Sequence, residues 1–135
     1  MKVLQILPQL NIGGVERGTL DLSKALIQKG HESFVISGGG ILVDELIQSG
    51  AKHYEIPVHI KSLRTLSLAK NLSKTISFID PDIVHVRSRM PAWVNFRAFK
   101  MLQKKPLLIS TFHGLYSFPI YSQVMSFVDH SIAIS

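Results

Sequence analysis

Residues 1–26, MKVLQILPQLNIGGVERGTLDLSKAL, decide the fold. The run Val3–Leu7 is apolar apart from Gln5. That is too continuous for a strand with one wet face, and it predicts a parallel strand covered on both sides. Gly13 and Gly14 then let the backbone turn sharply and approach a ligand with no Cβ in the way. Val15, Leu20, Leu22, Ala25 and Leu26 recur at helical spacing, so a helix is predicted over Val15–Lys29, stopping at Gly30. A strand that passes through a glycine turn into a helix places unsatisfied N–H groups and a positive dipole end beside a cavity. This suits a phosphate or another anion, and it is equally what any βα turn packing a sheet looks like.

Outward from this unit the same alternation repeats. Further strands are predicted at Ser33–Ile36, His53–Ile56, Ile83–Val86, Leu107–Thr111 and Ser131–Ile134. Helices are predicted at Ile41–Gln48, Leu63–Ile79 and Ala92–Gln103, with a short one after Pro119. Such alternation means βαβ units, hence an α/β fold with a Rossmann-like, doubly wound parallel sheet. Right-handed crossovers with a switch after the third strand give the order 3-2-1-4-5-6. Ligands in such sheets bind beyond the C-terminal strand ends, beside the switch point. Three segments are expected there: Gln9–Gly14, Arg87–Pro91 and Thr111–Tyr116.

The 135 residues make one domain, 46% hydrophobic, with a mean hydropathy of +0.24. Either helices cover both sheet faces, or one surface expects a partner domain or a membrane. No apolar run reaches membrane-spanning length and no signal peptide is visible, so a cytoplasmic location is expected. The chain lacks cysteine, which removes disulfides and thiolate metal sites. Charge is uneven. Ten of the 15 Lys and Arg residues lie between Lys61 and Lys105, where the only acids are Asp80 and Asp82. This block can face anionic lipid, a phosphorylated substrate or nucleic acid, or can simply solvate helix faces. The predicted helix at 63–79 carries Arg64, Lys70 and Lys74 off its apolar stripe.

The candidate chemistry is sparse. Arg87 and Arg89 stand one residue apart at a predicted strand end, where alternation would aim both the same way. Their guanidinium forks can grip phosphate or carboxylate, or pair with Asp80 and Asp82. His85, inside the strand, reads as a satisfied core histidine. His113 follows an apolar run and precedes Gly114, which places it at the mouth of the cleft, where an imidazole can donate, accept or carry a proton. The chain has no GxxxxGK[ST], GxSxG or HExxH, and no histidines at metal-ligand spacing. Gly13, Gly14 and Gly18 do not form GxGxxG, and no acid ends the second strand, where Gly38–Gly40 stand. This argues against a nicotinamide dehydrogenase.

Three stretches, LPQLNIGGVERGTLDLSKALIQKGHE (7–32), DPDIVHVRSRMPAW (80–93) and STFHGLYS (110–117), resemble the N-terminal domain of group 4 retaining glycosyltransferases of the GT-B fold. Those of bacterial lipopolysaccharide and surface polysaccharide synthesis are the most similar in feel. The resemblance implies a cleft between two Rossmann-like domains, with the acceptor held mainly by the N-terminal one and a nucleotide-sugar donor by the C-terminal one. It implies that Gly13 and Gly14 approach the donor diphosphate and that His113 contacts the transferred sugar as the catalytic histidine. Arg87 and Arg89 fall on the acceptor side. No metal or other cofactor and no nucleic acid is implied. A saccharide or glycolipid acceptor is implied, with a peripheral contact to an anionic membrane surface. Residues 1–135 are expected to be the acceptor-side domain alone, since the E-x7-E segment of the donor domain does not occur in them. The fragment is expected to be inactive, because half a cleft cannot hold both substrates in reacting geometry. A non-catalytic saccharide-binding or subunit-interaction module of the same fold stands as the alternative, and a nucleotide-binding domain of another enzyme class as a third.

Overall fold

Strand β1 (Lys2–Ile6) lies inside a six-stranded sheet whose order is β3-β2-β1-β4-β5-β6, every pairing parallel. The structure, a computed structural model, describes residues 1–58, 65–113 and 128–134. The other strands are β2 (Glu32–Ser37), β3 (Lys52–Glu55), β4 (Ile83–Val86), β5 (Leu107–His113) and β6 (His130–Ile134). Helices α1 (Gly14–Gln28), α2 (Val43–Gln48), α3 (Thr65–Ile79) and α4 (Arg89–Phe99) connect them. This is the doubly wound Rossmann-like order that the alternation predicts. The expected helix after Pro119 and the position of Arg64 lie outside the described residues. No helix among the described residues is long and apolar enough to cross a membrane.

Strand alternation sorts the core onto two faces. Leu4, Ile6, Phe34, Ile36, Val84, Val86 and Leu108 pack against Ala69, Leu72 and Ile76 of α3 and Val94 and Ala98 of α4. On the other face Leu7 and Val35 meet Leu20 of α1 and Leu46 of α2. Both faces are therefore covered, which accounts for the apolar composition. Gly30 ends α1 at a φ of +83°, where its N–H bonds Ile27 O at 3.0 Å and His31 N–H bonds Leu26 O at 2.9 Å. Those two bonds are a Schellman stop, and glycine is the residue that adopts this conformation at no cost.

Most boundaries shift by a residue or two from the sequence reading, and three of the differences have a clear cause. Helix α4 begins at Arg89 rather than Ala92, because Pro91 sits in its first turn, where a missing N–H costs nothing. It ends at Phe99, and turn bonds from Met101 to Ala98 and Leu102 to Phe99 carry the chain on. Strand β5 runs two residues past Thr111 because β6 offers partners as far as His113↔Ile134. His113 thus closes the strand instead of standing beyond it.

Candidate functional site

The switch point lies between β1 and β4, where the chain leaves β1 for β2 and returns on the other side as β4. The C-terminal ends of these strands feed the N-termini of α1 and α4, so Gly13, Gly14, Arg87 and Arg89 come to one edge of the sheet. The end of β5 brings the backbone of His113 to that edge too. The side chains of Arg89 and His113 lie outside the described part of the structure.

Gly13 is the N-cap of α1, in extended conformation and with no side-chain cap; its carbonyl accepts the first helical bond, from Arg17 N–H at 3.0 Å. The first-turn N–H groups therefore face outward. They border a cavity of about 270 Å³ lined by Ile12, Gly13, Gly14, Arg17 and Leu42. Ile12 is 83% exposed at its rim. A Cβ at Gly14 would meet nothing within 4 Å, so this face is open. A Cβ at Gly13 would strike the Glu16 carboxylate, which folds back over the cap and supplies a negative charge at the dipole's positive end. A larger groove of about 400 Å³, lined by Ser73, Lys74, Asp80, Met101 and Lys104 among others, lies at the opposite sheet edge, away from the switch point.

The β1–α1 loop is held by its neighbour. Gly38 N–H bonds Pro8 O at 2.8 Å, Leu10 N–H bonds Gly39 O at 2.8 Å, and Leu42 N–H bonds Leu10 O at 2.8 Å. Asn11 Oδ1 accepts from Ile41 N–H at 3.3 Å. Gly40, at a φ of +146°, sits against the Leu10 carbonyl, where a Cβ would overlap backbone. The run Gly38–Gly40, read in the sequence only for the acid it lacks, is thus the clasp that shapes the candidate site. Its signal was three consecutive glycines directly after a strand.

Arg87 is buried, 8% exposed, and follows the last residue of β4. Its Nη1 donates to Gln5 Oε1 at 3.0 Å, and among the described residues its Nε has no acceptor. Gln5, the buried polar residue of β1, also donates to Thr19 O at 3.2 Å and to Ser23 Oγ at 3.0 Å. It ties sheet, α1 and Arg87 together. Burial pulls the guanidinium pKa below its ordinary value. The common strand direction expected for Arg87 and Arg89 is not what the structure has: β4 ends at Val86, and Arg89 is the first residue of α4. Nor do Asp80 and Asp82 pair with Arg87, since Asp80 meets Lys104 at 3.2 Å and Asp82 accepts from Lys2 N–H at 2.7 Å. His85 is a satisfied core histidine, with Nε2 2.5 Å from Thr111 Oγ1. Among the described residues no three His, Asp or Glu side chains gather as a metal site.

Residues 12–135 match the family model Glycosyltransferase Family 4. No curated protein matches significantly. Among solved structures, a glycosyltransferase from Rickettsia africae is 35% identical, with a TM-score of 0.80 over 99% of this chain and 36% of that one. HepE from Anabaena, solved in complex with UDP and glucose, is 19% identical, with a TM-score of 0.65 over 84% of this chain and 30% of that one. A Listeria monocytogenes protein assigned as a UDP-N-acetylglucosamine 2-epimerase shares the fold at 18% identity and a TM-score of 0.57, over 98% of this chain and 38% of that one. The chain spans about a third of the length of the solved structures it matches. Because the fold is shared by a glycosyltransferase and a protein assigned as an epimerase, fold alone does not decide the chemistry.

Proposed function

This chain belongs to glycosyltransferase family 4, and from that premise we propose that it forms the acceptor-side wall of a nucleotide-sugar-dependent glycosyltransferase cleft. The observation that carries the reading is the start of α1, whose N–H groups take no side-chain cap hydrogen bond and which opens at the switch point into a glycine-lined cavity on a chain of this family. In this proposal the domain is the N-terminal half of a GT-B enzyme, and a donor-binding half completes the cleft. Gly13 and Gly14 let the backbone approach the donor's diphosphate. Charge grows on that leaving group as the bond between the sugar's anomeric carbon and the diphosphate oxygen breaks and the bond to the acceptor oxygen forms, and outward N–H groups at a helix start stabilise it where it develops. His113 meets the transferred sugar, Arg87 and Arg89 hold the acceptor, and the sugar passes with retained anomeric configuration. HepE, which holds UDP and glucose, is consistent with a nucleotide-sugar donor here.

The acceptor is a saccharide or glycolipid, as in synthesis of bacterial surface polysaccharides, presented at the cytoplasmic face of an anionic membrane. Lys70 and Lys74 are exposed on α3, and Phe78 on the same helix is 78% exposed, a basic and aromatic combination that suits such a surface. Alone, the domain transfers no sugar, because orientation of both substrates needs the second wall.

The test is transfer by the protein joined to its donor-binding half. Gly14→Ala should lower kcat/KM by more than about tenfold, since the methyl occupies the diphosphate's approach without touching the fold. His113→Ala should lower kcat more than it raises KM, and the first-formed product should keep the donor's anomeric configuration by NMR. Full activity in both variants, or turnover by residues 1–135 alone, would refute the reading.

A further inference from the structure

Among the described residues the buried guanidinium of Arg87 has no counter-ion. All nine Asp and Glu residues of the sequence fall among the described residues. Among the described residues their ion pairs join Arg17 to Asp21 and Glu45, Lys24 to Glu45 and Lys104 to Asp80; none involves Arg87. Among the described residues its guanidinium donates to a neutral amide, Gln5 Oε1, and its Nε is sealed from solvent without an acceptor. A cation removed from water without a carboxylate is among the costlier things a fold can hold. The surroundings also make room for the head group. A Cβ at Gly18 would lie 3.0 Å from Arg87 Nη2, so the absence of a side chain there, on the helix above, lets the guanidinium sit under α1. Arg87 N–H bonds Ile6 O at 3.0 Å, which fixes the residue's backbone at the switch point itself.

We infer that the counter-ion of Arg87 arrives with the ligand: Arg87 takes a phosphate or carboxylate carried by the acceptor, which is therefore an acidic rather than a neutral saccharide. This rests on the glycosyltransferase reading only for the identity of the anion's carrier. The planar fork, with Nη1 anchored on Gln5, leaves Nε and Nη2 on one edge of the guanidinium, the pair that meets two oxygens of a carboxylate or phosphate side by side. Gln5 in turn is held by Thr19 O and Ser23 Oγ, so the fork is oriented before any ligand binds.

The buried Nε–H of Arg87 gives a direct probe by 1H–15N NMR. Glucuronate and glucose 6-phosphate, titrated separately, should each shift that resonance saturably, while glucose should leave it in place. Arg87→Gln should weaken binding of both acids by about tenfold or more, the size expected for a charged hydrogen-bond donor, with an unchanged or raised Tm. Gly18→Ala, a change that otherwise favours helix, should weaken both as well by displacing Nη2. An unmoved resonance, an equal response to glucose, or an Arg87→Gln protein with lower Tm and unchanged affinity for both acids would overturn the inference. So would a shift produced by UDP and by neither sugar acid, which would place the anion on the donor. None of these readouts requires sugar transfer, so absence of transferase activity would strike the functional reading and leave this one standing.

Discussion

Replacing Gly40 by alanine tests whether the glycine run of the β2–α2 loop builds the candidate site. Two costs arise. Alanine must adopt the φ of +146° held by Gly40, a region that L side chains avoid, at about 1–3 kcal/mol. The new Cβ would also overlap the Leu10 carbonyl and come within 2.8 Å of Asn11 Oδ1, so the loops must part. Parting them strains or breaks the Leu10 N–H to Gly39 O and Leu42 N–H to Leu10 O bonds, each worth about 1 kcal/mol. Together these come to about 3–5 kcal/mol, a large share of the 5–15 kcal/mol typical of a domain. At roughly 4 °C per kcal/mol for this size, Tm should fall by about 12–20 °C. Hydrogen exchange at Leu10 and Leu42 should quicken before global unfolding, because the damage is local. Thermal denaturation by circular dichroism reads the first effect and exchange NMR the second. A Tm within about 3 °C of the parent, with both amides still protected, would refute the claim that this loop clasps the site.

Other outcomes follow from the same geometry. Burial holds the His53 imidazole below its ordinary range, against the opposing pull of Glu55, and its Nε2 lies 2.7 Å from Ser37 Oγ. The neutral ring is thus favoured in the fold, so its stabilising share is full above the unfolded pKa of about 6.5 and is lost as pH falls toward the lower folded value. Tm should be lower at pH 5 than at pH 7.5, and His53→Gln should shrink that difference; an unchanged difference would contradict the assignment. Leu20→Ala, in the fully buried contact of α1 with the sheet, should cost about 2–5 kcal/mol in denaturant titration, and a cost under 1 kcal/mol would mean that α1 is not packed as described. Replacing Arg64, Lys70 and Lys74 together by glutamine should weaken flotation with acidic vesicles, itself steeply salt-dependent, without altering Tm. Binding that ignores salt and the substitution would leave the basic block as a solvated surface.

Much of this arrangement was legible because it rests on local patterns. Apolar runs with helical segments between them, and Gly30 at a helix end, dictate the strand order and the switch point. The misread parts depend on partners distant in sequence. Arg87 and Arg89 looked like neighbours on one strand, yet Ser88 and Pro91 start a helix between strand and cleft, so the two residues belong to different elements. His113 looked like a loop residue because Gly114 follows it, whereas β6 extends the ladder to it. Gly38–Gly40 carried a strong turn signal, but that the turn would fasten onto Leu10 and Asn11 follows only from β1 and β2 lying side by side. Gln5 read as a lone blemish in an apolar strand. Its hydrogen bonds reach Thr19 and Ser23 on α1 and Arg87 at the end of β4, partners far from it in sequence.

The central claim is that the glycine-lined start of α1 receives the diphosphate of a nucleotide sugar. Titrating UDP into 15N-labelled protein, with the amides of Gly13, Gly14 and Val15 followed by NMR, tests it most directly. The account predicts weak, saturable shifts centred on those three amides, absent in Gly14→Ala, while Gly30 and Gly50 at the other ends of their helices stay in place. Shifts confined to the groove around Ser73 and Lys104, or none at UDP concentrations that saturate the protein joined to its donor-binding half, would contradict it.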